Sequence, residues 1–265
     1  MARKTYYYQE DKSDDFGNLA RNGKPLKDHY KYETTNVFYR FFSFCLYYFI
    51  AYPILWVIAK VFLGVKVKGK KELKKQWKKK EGLFIYSNHC HYFDAFLSQV
   101  FIGFPKKTHV ISHADPMNVR GLCGIVKMLG GIPLPFTMSQ YKQFSNVLRK
   151  ACQKGKAIAI YPEGTLWPYY NGLRPMPRAC FKYPAMMNTP VVFCAETWRK
   201  PKVFKFLKPR LTLTLSTLIR PEEGKSIQEN TDMIYQKAEQ FFQEHVLVPE
   251  NISYHTYLPI VEKKK

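Results

Sequence analysis

The run Ser87-Asn88-His89-Cys90-His91-Tyr92-Phe93-Asp94 holds a histidine and an aspartate five positions apart. A neutral imidazole held by a carboxylate is a general base suited to neutral pH. The apolar run Leu83-Phe84-Ile85-Tyr86 precedes the pair and reads as a buried strand of a parallel sheet. Ala95-Phe96-Leu97-Ser98-Gln99-Val100-Phe101 follows and reads as a helix. Open α/β sheets place reactive groups at such strand-to-helix junctions. A helix N-terminus also presents backbone N–H groups that favour negative charge.

A second marked stretch, Tyr161-Pro162-Glu163-Gly164-Thr165, follows the strand-like run Ala157-Ile158-Ala159-Ile160. Gly164 permits a tight turn or close approach of a ligand. Glu163 would sit on the same C-terminal rim as His89, and two ionisable groups at one rim point to a site. Two further stretches read alone as scaffolding. They are the glycine pair of Leu129-Gly130-Gly131-Ile132-Pro133-Leu134-Pro135 and the turn-to-strand run Asn188-Thr189-Pro190-Val191-Val192. Cys90 and His91 invite a metal reading, but adjacent positions of an extended chain point apart and no second ligand cluster accompanies them. We expect no metal. His113 and Asp115 form another His/Asp pair, at a spacing that none of these blocks matches, and are read as non-catalytic.

The elements that must position these residues alternate between strand and helix from about Val65 onward. Val65–Lys68 alternates as an edge strand; Thr108–Ile111, Pro190–Cys194 and Leu211–Thr217 read as further strands. Helices are expected over Val119–Met128, Ser139–Gln153 and Ile227–Val246. The pattern predicts an α/β fold with a mostly parallel central sheet flanked by helices. Ahead of it, Phe41–Ala59 contains little polar besides Ser43, is rich in Tyr and carries a Trp, and would span roughly 28 Å as a helix, close to a bilayer core of ~30 Å. Pro53 near its middle allows a kinked helix or a helical hairpin. Whether it spans the membrane or lies in one leaflet is open. The expected division is a polar arm over 1–36, a membrane-docking segment over 37–64 and the α/β domain over 65–265. The arm includes Tyr6-Tyr7-Tyr8 and no apolar run of signal-peptide type.

The charge is +22, from 42 Lys+Arg against 20 Asp+Glu, so the surface attracts anions. Lys60, Lys66, Lys68, Lys70, Lys71, Lys74, Lys75, Lys78, Lys79 and Lys80 directly follow the apolar segment. If the segment spans, they place the large domain in the cytoplasm; if it lies flat, they meet anionic head groups. Part of the run would serve only as a solvated helix face. Lys263-Lys264-Lys265 adds a short basic tail. Basic residues beside an apolar segment, with no recognised nucleic-acid module, argue against a nucleic-acid partner. Six scattered cysteines without a CxxC argue for reduced thiols.

Taken together, in this order and at these separations, the four stretches resemble the glycerolipid acyltransferase superfamily typified by bacterial 1-acyl-glycerol-3-phosphate acyltransferases. That family carries N-H-x4-D, G-x-I-x-x-x-R, F-P-E-G-T-R-S and V-P-[IV] blocks. Asn88, His89 and Asp94 match the first, Tyr161–Thr165 most of the third, and Thr189-Pro190-Val191 the fourth. The resemblance covers roughly Val65 to Arg220. It implies a membrane-associated O-acyltransferase that moves an acyl group from acyl-CoA or acyl carrier protein, with no other cofactor. The implied acceptor is a lysolipid hydroxyl, foremost that of 1-acyl-glycerol-3-phosphate. His89 would be the base and Asp94 its partner, with Asn88 and Glu163 at the substrate and Gly164 and Thr165 shaping the acceptor pocket. Backbone N–H groups at the helix start or at Gly130 and Gly131 would face the oxyanion. Phe136 and Leu166 stand where the family has arginines that bind the acceptor phosphate. Arg174, Arg178 and Lys182 would supply replacement charge, or Phe136 and Trp167 would form an apolar wall for a different head group. A lipid-binding protein with a decayed site is the remaining alternative.

Overall fold

The computed structural model describes residues 3–9, 12–17, 25–27, 30–34, 36–119, 121–201 and 208–260. The basic tail Lys263-Lys264-Lys265 and part of the arm lie outside them. In chain order the strands are β1 Thr5–Tyr8, β2 Lys66–Lys68, β3 Leu83–Ser87, β4 Thr108–Ser112, β5 Gly131–Pro133, β6 Ala157–Ile160, β7 Val191–Arg199, β8 Arg210–Leu215 and β9 Thr256–Pro259. Seven form one sheet in the order β2-β8-β7-β3-β6-β4-β5, and β1 pairs with β9. Every neighbouring pair is parallel except β7 with β8. The fold is therefore the expected mixed α/β type with a mostly parallel sheet.

β3 and β6 lie at the centre, and all their residues are buried. Alternate side chains enter opposite cores, as pleating requires. Phe84, Tyr86, Ile158 and Ile160 face one core with Phe144 and Leu148 of the helix Met138–Gln153 and Ile234 and Phe242 of the helix Ile227–Val246. Leu83, Ile85, Ala157 and Ala159 face the other with Leu97, Val100 and Phe101. The two long helices start at capping boxes, Thr137 with Gln140 and Ser226 with Glu229.

The structure sharpens three stretches. The helix expected over 119–128 forms as Leu122–Met128, starting late because Val119 is extended and Gly121, at φ +82°, stands just before it; a separate short helix covers Asp115–Asn118. A helix Lys70–Gln76 forms within the lysine run; only its Leu73 is buried, so these lysines line a solvated face. The arm is tied to the domain at two points. β1 pairs with β9, and Phe16 N–H donates to Leu166 O at 3.0 Å.

The apolar segment forms one helix, Val37–Phe62, long and apolar enough to cross or dock on a membrane. The hairpin alternative is not what forms: Pro53 sits within the helix, just after the wide-turned stretch Leu46–Ala51. Phe38, Phe41, Phe42, Phe49, Ile54, Val61 and Phe62 are exposed along it. Its first turns rest on the domain, where Tyr39 Oη donates to Gly124 O at 3.0 Å and Ser43 Oγ to Met128 O at 2.8 Å.

Candidate active site

β3 ends at Ser87, and the chain turns through 88–93 into a helix over 94–103. Asp94, fully buried, organises that turn. Its Oδ2 accepts from Cys90 N–H and His91 N–H, both at 2.8 Å, and lies 2.9 Å from His89 Nδ1. The carboxylate thus fixes the loop and selects the His89 tautomer protonated at Nδ1. His89 Nε2 bonds to no other described residue, and the side chain is 23 % exposed, so a basic nitrogen faces outward. Tyr161 flanks the imidazole with ring centres 4.9 Å apart, and its hydroxyl donates to Asp94 O.

The loop after β6 closes against this turn from the neighbouring strand. Glu163 Oε2 accepts His89 N–H at 2.9 Å and forms an ion pair with Arg174. Arg174 Nη2 also donates to His89 O at 3.0 Å and to Thr165 O, and Nη1 donates to Thr165 Oγ1. Trp167 N–H reaches His89 O and Tyr169 N–H reaches Cys90 O, at 3.3 and 2.8 Å. Gly164 takes φ +71°, with open space where a Cβ would stand; the turn requires it for conformation and not for room. On the far side of β3, Asn88 exchanges two hydrogen bonds with the Glu196 backbone, at 3.0 and 2.7 Å.

The acyltransferase family profile matches residues 64–195, which contain this whole rim up to β7. Residues 64–195 of the chain therefore form an acyltransferase-family domain. Among solved structures it is similar to the 1-acyl-sn-glycerophosphate (LPA) acyltransferase PlsC from Thermotoga maritima. The TM-score is 0.54 and the identity 15 %, over 78 % of this chain and 86 % of that one, a likeness of fold. No curated protein sequence gives a significant match. The protein is an acyltransferase enzyme.

Of the residues singled out in the sequence of this acyltransferase, the structure brings His89, Asp94, Asn88, Glu163, Gly164, Thr165 and Arg174 together. Arg174 is only 4 % exposed and binds the protein itself, so it is not offered to a ligand. Arg178 is elsewhere, paired with Asp232 on the C-terminal helix. Gly130 and Gly131 do not reach the rim: β6 and β4 separate them from β3, and they stand at the N-terminal end of β5. A Cβ on Gly130 would lie 2.6 Å from Thr108 O, so packing explains that glycine. The N–H groups of His89, Cys90 and His91 are likewise occupied by Glu163 and Asp94 and do not face an oxyanion. Phe136 is exposed beyond β5. Trp167 lines no pocket wall; it is fully buried, stacked on Tyr257 at 5.0 Å, and donates from Nε1 to Asp14 O. Leu166 is buried under the arm, its N–H held by Asp15.

His113, read from the sequence as non-catalytic, reaches the Glu163-Gly164 turn, with Nε2 2.7 Å from Gly164 O. Two supporting residues escaped the sequence reading. Tyr161 supports the His89 ring. Glu196 is buried beside Asp94; a lone acid inside the apolar run Val191–Trp198 was a signal available to find it. Cys90, Asp94 and Glu196 hold potential ligand atoms within 4.8 Å of one another. Burial first, and Asp94 next, push both the Cys90 thiol and the Glu196 carboxyl well above their ordinary ranges. Raised in this way, the thiol and the acid are protonated and act here as hydrogen-bonding groups.

Proposed function

We propose that the protein transfers a fatty acyl group from an acyl thioester, acyl-CoA or acyl carrier protein, to the hydroxyl of a lysolipid. The observation that carries this reading is His89, anchored through Nδ1 by a buried Asp94 and open at Nε2. In the proposed step His89 Nε2 takes the acceptor hydroxyl proton as that oxygen bonds to the thioester carbonyl carbon. The tetrahedral intermediate then breaks its C–S bond, and the leaving sulfur regains the proton from the imidazolium. An ester and a free thiol result, and no covalent enzyme intermediate is needed. Asp94 balances the imidazolium charge as it forms. Glu163 and Arg174 hold the two loops in register, Asn88 ties the turn to β7, and Gly164 and Thr165 border the acceptor.

The work is set at a membrane surface. The exposed side of the helix Val37–Phe62 continues into exposed Leu122 and Ile125 beside it, with Phe136 and Met138 exposed after β5. The lysines that follow the helix favour the cytoplasmic face for the catalytic domain.

1-Acyl-glycerol-3-phosphate, the acceptor in the name of the Thermotoga maritima protein, is the leading candidate acceptor. A second reading, an acceptor without a phosphate monoester, is favoured by one observation: Arg174 and Arg178 both pair with carboxylates of the protein. The deciding assay measures thiol release from acyl-CoA and from acyl carrier protein against a panel of phosphorylated and neutral lysolipids, with His89→Ala and Asp94→Asn beside the wild type. His89→Ala should lose about 10²–10⁴-fold in turnover. Full activity in both variants refutes the mechanism; inactivity of the wild type with every acceptor favours the decayed, lipid-binding alternative.

A further inference from the structure

Asp94 shows an asymmetry that the His89 contact does not explain. Its Oδ2 has three partners, whereas Oδ1 is buried and receives no N–H among the described residues. A bare carboxylate oxygen in the interior is costly. What stands beside it is another buried carboxyl, Glu196, 1 % exposed.

The groups around Glu196 decide its charge. Asp94 and Cys90 face it from the turn after β3, Glu163 and Tyr161 from the loop after β6, and Cys194 from its own strand. None of these is a cation, and Arg174 is paired with Glu163. Two carboxyls so close, without a counter-ion between them, share one negative charge. Asp94 keeps it, because two backbone N–H groups and an imidazole stabilise its charged form. Glu196 has weaker support: Ser87 Oγ at 3.1 Å, which bonds more closely to Cys194 O at 2.8 Å, and the Cys90 thiol at 3.9 Å. Burial, then the Asp94 charge, holds the Glu196 carboxyl well above the usual carboxylate range.

We propose that Glu196 is a positioning residue of this transferase: its neutral carboxyl donates an O–H to Asp94 Oδ1 and so locks the Asp94–His89 pair. The strand β7 thereby completes a chain from Glu196 through Asp94 to His89, and the Asn88 amide pins the same residue's backbone. With Glu196 neutral, Asp94 presents a single negative charge to the imidazolium. The proposal rests on the reading of His89 as the base.

The test compares wild type, Glu196→Gln, Glu196→Leu and His89→Ala for kcat, KM and the pH profile of kcat/KM, using acyl-CoA and the best lysolipid from the panel. Glutamine keeps a donor for Oδ1 and adds no charge. It should hold kcat within about threefold and leave the acidic limb within about 0.3 pH unit, since one pH unit is a tenfold effect. Leucine removes the donor and should lower kcat by about 10- to 100-fold with KM little changed. The proposal is overturned if Glu196→Leu retains wild-type kcat, if Glu196→Gln loses activity as leucine is expected to, or if Glu196→Gln moves the acidic limb down by a unit or more. That last shift would mean that Glu196 is charged. Should the leucine variant fail to fold, the glutamine arm decides alone. Activity in His89→Ala would instead remove the base reading, and so separates that failure from this one.

Discussion

Replacing Arg174 by methionine separates a clamp from a ligand-binding arginine. The Arg174 side chain is 1 % exposed and that of Glu163 3 %, and the guanidinium also holds His89 O and both oxygens of Thr165. Methionine fills much of the volume but leaves the Glu163 side chain buried with the His89 N–H as its one remaining partner among the described residues. Breaking a buried pair from one side costs about 3–5 kcal/mol. At about 2–4 °C per kcal/mol for a chain of this size, the expected fall in Tm is roughly 6–20 °C. The double variant Glu163→Gln/Arg174→Met removes the orphaned charge and should recover most of that loss. Thermal unfolding in detergent micelles, followed by near-UV circular dichroism, measures both. Turnover should fall with stability in the single variant, because the His89 loop loses its tether. The reasoning is refuted if Arg174→Met shifts Tm by less than about 3 °C while raising KM for a phosphorylated acceptor. That result would make Arg174 a phosphate ligand.

Three further outcomes are expected. Glu196 binds its proton more tightly folded than unfolded, so its contribution to stability is full below the ordinary carboxylate pKa of 4.5 and declines as pH rises toward the folded value. The stability difference between Glu196→Gln and wild type should therefore grow in the variant's favour by about 1.4 kcal/mol per pH unit above pH 4.5, as read from urea unfolding at several pH values. Gly164→Ala should cost about 1–2 kcal/mol, from its left-handed φ alone. Gly130→Ala should cost more in the same urea assay, because its Cβ also meets Thr108 O at 2.6 Å. Replacing exposed Phe49 and Ile50 by aspartate puts two charges on the apolar helix. At about 2.5–3.5 kcal/mol each in a bilayer centre, these should abolish flotation with liposomes while the isolated domain stays folded.

Much of the fold was legible because its strands are fully buried. Leu83–Ser87, Ala157–Ile160 and the start of β7 are apolar runs bounded by turn residues, and burial on both faces leaves such runs little alternative. The long helices announced themselves by their apolar period. The helix expected over 119–128 starts only at Leu122, because Gly121 before it holds a left-handed conformation that the apolar period does not reveal. The pairing of β1 with β9 was invisible because tyrosine-rich edges joined from opposite ends of the chain leave no local signature.

The candidate site divides in the same way. His89 and Asp94 belong to one turn, so their spacing alone, read from the amino acids, put an imidazole and a carboxylate within reach of each other. The roles of Arg174 and Glu196 were decided only by the tertiary structure. Arg174 reads in sequence as free charge near a phosphate, and folding encloses it between Glu163, Thr165 and His89. Glu196 reads as an odd acid in an apolar strand, and the pairing of β7 with β3 sets it behind Asp94. Local spacing determines which groups can meet within a turn. Burial and strand order determine which charges survive there, because a carboxyl's protonation depends on the neighbours that replace its water.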